Sequence, residues 1–150
     1  MVLDTGQPVP EVTATTQDGE RITVEFAAPT VLFFYPRDGT PGCTTEACQF
    51  DARLEQYGEA GVAVYGISTD DAGSHRRFAR EEGLDVTLLA DPRERIADAF
   101  DVDVSGGAAA RTTVVCARRQ VCGVYEGVHP DGHARNVLRD VHRLGLANLK

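Results

Sequence analysis

The residues Thr30-Val31-Leu32-Phe33-Phe34-Tyr35 run without any alternation of polar and apolar side chains and are closed by Pro36. Successive side chains of a strand point to opposite faces, so a strand that is apolar at every position has both faces covered. The proline then ends the ladder, because it has no N–H to give. One such strand places the chain among proteins with a sheet between two layers. The run is far shorter than the roughly 20 apolar residues that span a bilayer. Val62 to Ser68 is a second run of the same kind.

Between and around these runs the periodicity changes. Val12 to Thr16 and Arg21 to Glu25 flank Gln17-Asp18-Gly19-Glu20 and predict a hairpin. Cys43 to Gly58 predicts a helix with Ala47, Phe50, Leu54 and Tyr57 on one stripe and glycine at its end. Ser74 to Glu82 predicts a helix ending at Gly83, Thr87 to Ala90 a short strand, and Arg93 to Phe100 a short helix with Ile96, Ala97 and Phe100 inward. Thr112 to Cys116 and Val121 to Tyr125 predict a hairpin around Ala117-Arg118-Arg119-Gln120. His133 to Leu146 predicts a last helix with Val137, Leu138, Val141 and Leu144 at core spacing. The 150 residues suit one domain, residues 1–150, with no repeat or linker. Strands separated by helices, with a hairpin at each end, predict an α/β, thioredoxin-like fold. Its mixed central sheet is flanked by helices and opens with an N-terminal β-hairpin.

Charge narrows the partners. The chain carries 23 acidic and 15 basic residues, a formal charge of −8, and Lys150 is the sole lysine. An acidic chain repels phosphate backbones and anionic membranes, so neither nucleic acid nor membrane is expected as a partner. Acidic side chains with almost no lysine also suit a high-salt cytoplasm. The opening Met1-Val2-Leu3-Asp4-Thr5 lacks the basic and apolar regions of a signal peptide, which makes the cytoplasm the expected location.

The four cysteines then become informative. In a reducing compartment they point to catalysis or metal binding rather than to a structural disulfide framework. Cys43 follows Pro36-Arg37-Asp38-Gly39-Thr40-Pro41-Gly42, between the buried strand and the first helix. Thr40 fits the N-cap and Pro41 the first helical position, where a missing N–H is harmless. Cys43 is then the third helical residue, beside unpaired backbone N–H groups and the positive end of the helix dipole. Both favour thiolate over thiol. A small apolar role on the inner helix face explains Cys48 better than Cys43.

The spacing of the pair limits its chemistry. A thioredoxin-type dithiol has two intervening residues, whereas Cys43 and Cys48 have four. Five positions on an ideal helix put the Cα atoms roughly 8 to 9 Å apart on different faces. A disulfide needs them within about 7 Å, so the pair can close only if the helix start unwinds. A four-cysteine metal module is disfavoured, because neither Cys43/Cys48 nor Cys116/Cys122 has ligand spacing. Cys116 and Cys122 can face one another, form a second disulfide, or sit as separate small apolar residues, and in a reducing cytoplasm the last is favoured. Glu46 is expected to be an exposed helix former. His75, His129, His133 and His142 are expected to be structural or solvent-facing.

Phe33-Phe34-Tyr35-Pro36, Thr40-Pro41-Gly42-Cys43-Thr44 and Glu46-Ala47-Cys48 closely resemble the active-site segment of peroxiredoxins of the bacterioferritin-comigratory-protein type, also called the Q type. The resemblance continues through Gly66-Ile67-Ser68, Asp70, Ser74-His75, Phe78, Leu88-Leu89-Ala90-Asp91 and Arg111-Thr112, and covers the chain from about Pro8 to the last helix. It implies a thiol peroxidase without a cofactor or metal, in which Cys43 is the peroxidatic and Cys48 the resolving cysteine. Thr40 and Arg111 would then orient the peroxide while Pro36 shields the pocket. A hydroperoxide would be the substrate and a thioredoxin-like dithiol the reductant, and the protein would be a monomer or weak homodimer. Fixed donors suit this chemistry, since O–O cleavage by a thiolate puts negative charge on the leaving oxygen. Arginine stays protonated and presents its donors as a rigid fork. Cys116 and Cys122 depart from the family, whose hairpin there tends to carry a glycine turn and end in Asp. A thiol–disulfide exchanger or redox sensor using the same cysteine pair is the competing reading, and it has no need of Thr40 or Arg111.

Overall fold

The run that begins at Thr30 forms the strand β3 (Thr30–Phe34) in the interior of a seven-stranded sheet in a computed structural model that describes residues 2–149. The other strands are β1 (Val12–Thr16), β2 (Arg21–Val24), β4 (Ala63–Ser68), β5 (Thr87–Ala90), β8 (Thr112–Ala117) and β9 (Gln120–Glu126), in the order β2-β1-β5-β4-β3-β8-β9. β3, β4 and β5 run parallel, and β1, β2, β8 and β9 add antiparallel pairs at the two sides. This is the mixed sheet expected from the sequence.

Alternation along β3 divides the core. Val31, Phe33 and Tyr35 face one layer, formed by the helices α1 (Pro41–Ala52), α2 (Leu54–Glu59), α3 (Ala72–Glu82) and α5 (His133–Arg143). Leu32 and Phe34 face the other, with Phe26, Phe100 and the short helix α4 (Arg95–Ala99). The Phe33 ring stacks on Phe50 of α1 with centroids 4.3 Å apart. That ring position requires glycine on the neighbouring strand, because a Cβ at Gly66 would lie 2.6 Å from Phe33 Cζ and 2.9 Å from Leu88 Cδ2.

Several elements differ from expectation. The helix expected over Cys43 to Gly58 breaks at Arg53 (φ −106°, ψ 9°), and Gly58 lies inside α2. The break falls between two tethers. Asp51 Oδ1 accepts from the Asp85 and Val86 amides, and the buried Tyr57 hydroxyl donates to the Ala134 carbonyl. Leu144 is 53% exposed, and Leu146 is the residue that returns to the core beyond α5. A small hairpin, β6 (Val104–Ser105) with β7 (Ala108–Ala109), went unforeseen.

The β8–β9 turn is tighter than expected. Arg118 and Arg119 occupy both left-handed positions (φ 54° and 62°), which usually take Asn or Gly. Their N–H groups donate to the carbonyls of Ala27 and Phe26, so tertiary bonds hold the strained turn. A register shift follows: Val115 pairs with Gly123 and Cys116 with Val121, which leaves Cys122 as the extra residue of a bulge. Cys116 therefore faces the Leu32 layer and Cys122 the opposite one, and all four cysteines are free thiols. No helix among the described residues is long and apolar enough to cross a membrane.

Candidate active site

The loop from Pro36 to Thr40 leaves the end of β3 and is fastened from beneath by a polar network. The Asp38 carboxylate accepts from the Tyr35 hydroxyl (2.6 Å) and the Ser74 hydroxyl (2.8 Å) and meets His75 Nδ1 at 2.7 Å. The Asp38 amide donates to Asp70, which also accepts from Ser68. Burial pushes the Asp38 carboxyl up. The hydrogen bond and charge of His75, with the two hydroxyls, outweigh it and leave it below the ordinary carboxylate value. Asp38, Asp70 and His75 bring three potential ligand atoms within 4.8 Å of one another. Those atoms already serve one another and the neighbouring hydroxyls, which makes the cluster a loop anchor. His75 is fully buried, with Nε2 on the Leu89 carbonyl, so it takes the structural of its two expected roles.

The helix then begins where the sequence put it. Thr40 is at the N-cap position in extended backbone (φ −75°, ψ 152°), Pro41 is the first helical residue and Cys43 the third. The Thr40 hydroxyl makes no cap hydrogen bond. It donates instead to the Arg37 carbonyl at 3.3 Å. Pro36 is half-buried beside the loop, and Cys43 is buried, with 1% of its surface exposed.

Arg111 reaches this helix start from the residue before β8. Its Nη2 donates to Cys43 Sγ at 3.4 Å and its Nη1 to Glu46 Oε1 at 2.7 Å. Gly42 makes room, since a Cβ there would lie 3.2 Å from Arg111 Nη2. One guanidinium thus bridges two groups a single helical turn apart, each through its own nitrogen of a rigid fork. Burial works against the arginine's charge, but Cys43 and Glu46 together raise its pKa above the ordinary value.

Glu46 overturns its expectation as an exposed helix former. It has no exposed surface, and its Oε2 is buried without a hydrogen-bond partner among the described residues. Burial raises its carboxyl to about 7, against the pull of Arg111. The signal was available in principle: positions i and i+3 share a helix face, so a buried Cys43 implies an inward Glu46, and an inward Glu46 needs a cation. His133, at the start of α5, packs edge-on against Phe50 and Tyr125 with Nε2 2.7 Å from Thr113 Oγ1. Burial and the charge of Arg111 lower it to about 4, so it flanks the site as a neutral ring at neutral pH. His129 and His142 are exposed. Cys48 is half-buried, its Sγ 3.9 Å from Glu82 Oε1, and burial with the charges of Glu82 and Asp51 pushes its thiol up.

The state of Glu46 links the site to stability. A carboxyl raised from an ordinary value of about 4.5 to about 7 binds more protons folded than unfolded between those limits. Its ionisation therefore lowers stability as pH rises through this window, by up to about 3 kcal/mol. Glu46→Gln carries no such penalty. In urea unfolding, the stability of Glu46→Gln relative to the unmodified protein should rise between pH 4.5 and 7 and level off above. A pH-independent difference would show that the buried carboxyl does not titrate there.

Comparison with known proteins shows the family. Residues 5–122 match the AhpC/TSA family. A chloroplastic peroxiredoxin Q of Triticum aestivum is 37% identical over 145 residues, which cover 93% of this chain and 67% of the wheat protein. A putative peroxiredoxin bcp of Coxiella burnetii is 32% identical over 92% of this chain and 98% of its own length. Among solved structures, a Xanthomonas campestris bacterioferritin comigratory protein, described for its alkyl peroxide reduction activity, superposes with a TM-score of 0.81 at 30% identity. That match covers 88% of this chain and 90% of the Xanthomonas chain.

Proposed function

The chain belongs to the AhpC/TSA family of thiol-dependent peroxidases, the peroxiredoxins, and from that membership we propose a cycle that starts at Cys43 and closes through Cys48. The observation that carries the proposal is the guanidinium of Arg111 bridging Cys43 Sγ and Glu46 Oε1. A donor aimed at the sulfur is also aimed at the oxygen that sulfur attacks.

In the first step the Cys43 thiolate forms an S–O bond with one peroxide oxygen and the O–O bond breaks. The departing oxygen takes a proton to leave as water or an alcohol, and Cys43 becomes a sulfenic acid. Arg111 and the Thr40 hydroxyl, turned from Arg37, would hold the peroxide in line, and Pro36 would limit water at the pocket edge. In the second step the Cys48 sulfur attacks Cys43 Sγ, an S–S bond forms and water leaves. A thioredoxin-like dithiol then reduces that disulfide by exchange. Hydrogen peroxide and organic hydroperoxides are the proposed substrates, and the Xanthomonas relative supports the organic class. A reducing compartment such as the cytoplasm suits a cycle that ends in reduction by a dithiol. The partners proposed are the peroxide and the reductant alone, with the chain acting as a monomer or weak homodimer.

One equivalent of peroxide added to the fully reduced protein tests the cycle. Peptide mass spectrometry should find a single intramolecular disulfide joining Cys43 to Cys48, with Cys116 and Cys122 still alkylatable. A dominant Cys43 disulfide to Cys116 or Cys122, or between two chains, would remove Cys48 as the resolving residue.

A further inference from the structure

Cys43 and Cys48 lie on the continuous helix α1, so their proposed disulfide requires the start of that helix to unwind. What resists the unwinding lies directly after Cys48. Beyond the two cysteines, Asp51 Oδ1 accepts from the Asp85 and Val86 amides, both at 2.7 Å, and pins the end of α1 to the segment before β5. Unwinding from Thr40 therefore meets a fixed point at Asp51.

Gln49 is the last side chain before that point with tertiary bonds of its own. Its Nε2 donates to Asp131 Oδ1 at 2.7 Å, and its Oε1 accepts from the Gly132 amide at 2.8 Å. Gly132 is the N-cap residue of α5 and has no side chain to offer. The same loop carries Pro130, whose Cγ would lie 3.6 Å from a Cβ at Gly42. The loop thus covers the helix start and is clipped to α1 beside Cys48.

We propose that Gln49 is a latch, whose two hydrogen bonds to the loop before α5 hold α1 wound and set how fast Cys48 reaches the oxidised Cys43. It is a positioning residue and acts through the helix. The inference rests on the proposed pairing of Cys43 with Cys48. A slower latch leaves the sulfenic acid longer in the wound helix, where a second peroxide can oxidise it to sulfinic acid as its own O–O bond breaks. Gln49 then divides Cys43 between the reversible disulfide and inactivation.

Gln49→Ala removes both bonds. Alanine is the better helix former, so propensity alone would slow unwinding, and any acceleration reports the lost latch. With one bond half-buried and one exposed, disulfide formation should be faster by roughly 5- to 20-fold. Asp131→Ala, which loses only the exposed bond, should give a smaller acceleration. Quenched-flow alkylation with mass spectrometry reads both steps. Sulfenic acid formation should be unchanged, the peroxide dose for half sulfinic acid should rise by the same factor as the second step, and amide exchange of 42–49 in reduced protein should quicken. Disulfide formation at or below the unmodified rate would overturn the latch, as would an equal change in both steps. Absence of a Cys43–Cys48 disulfide in the unmodified protein would instead remove the pairing on which the latch rests.

Discussion

Cys43→Ser is expected to abolish peroxide turnover. A serine hydroxyl has no accessible anion at neutral pH, whereas the nucleophile of this chemistry is a thiolate. Neither Cys116 nor Cys48 is placed to substitute. Cys116 is buried and pushed up to about 12, chiefly by burial, and it faces the layer opposite Cys43. Cys48 is raised by burial and by the Glu82 and Asp51 carboxylates, and no arginine donates to it among the described residues. The exchange of sulfur for oxygen is small in volume, so the fold should persist. Steady-state peroxide consumption with a dithiol reductant checks the expectation. Sustained turnover by the variant would displace Cys43 from the centre of the cycle.

Arg111→Ala is expected to slow sulfenic acid formation by roughly 10²- to 10³-fold, the loss seen when one preorganised donor to a developing charge is removed. The variant also leaves Glu46 buried without its cation, so it should lose stability above pH 7 more than below. Arg111→Lys separates the two effects. It keeps a charge for Glu46, but an ammonium on a flexible stem cannot reach Oε1 and Sγ as one rigid fork. Lysine should restore much of the alkaline stability and little of the rate. Stopped-flow measurement of the first step decides the matter, and wild-type rates in both variants would place Arg111 outside the reaction.

The short-range patterns were the legible part of this chain. β3 was evident from its unbroken apolar run, and the helix start at Thr40-Pro41-Gly42-Cys43 from cap and first-turn chemistry, because both depend on neighbours in sequence. The burial of Glu46 is hidden from the sequence for the opposite reason. Its burial is decided by Arg111, 65 residues away, and a glutamate in a helix ordinarily faces water. The break at Arg53 carries neither Pro nor Gly and falls between tethers to Asp85, Val86 and Ala134, all distant in sequence. Leu144 and Leu146 lie two residues apart, and the early end of α5 at Arg143 exposes the first and buries the second. The Arg118-Arg119 turn hides a left-handed pair that local preference would assign elsewhere, and the bonds to Ala27 and Phe26 hold it.

If the surroundings of Cys43, rather than its thiol alone, make it a peroxidase centre, its first reaction with peroxide outpaces that of any free thiol. Stopped-flow mixing of fully reduced protein with substoichiometric peroxide tests this most directly, with free cysteine run alongside at the same pH. The expected result is oxidation of one Cys43 per peroxide consumed, with a rate constant orders of magnitude above that of free cysteine, and loss of that phase in Cys43→Ser. A phase no faster than free cysteine, or one that survives in Cys43→Ser, would contradict the claim.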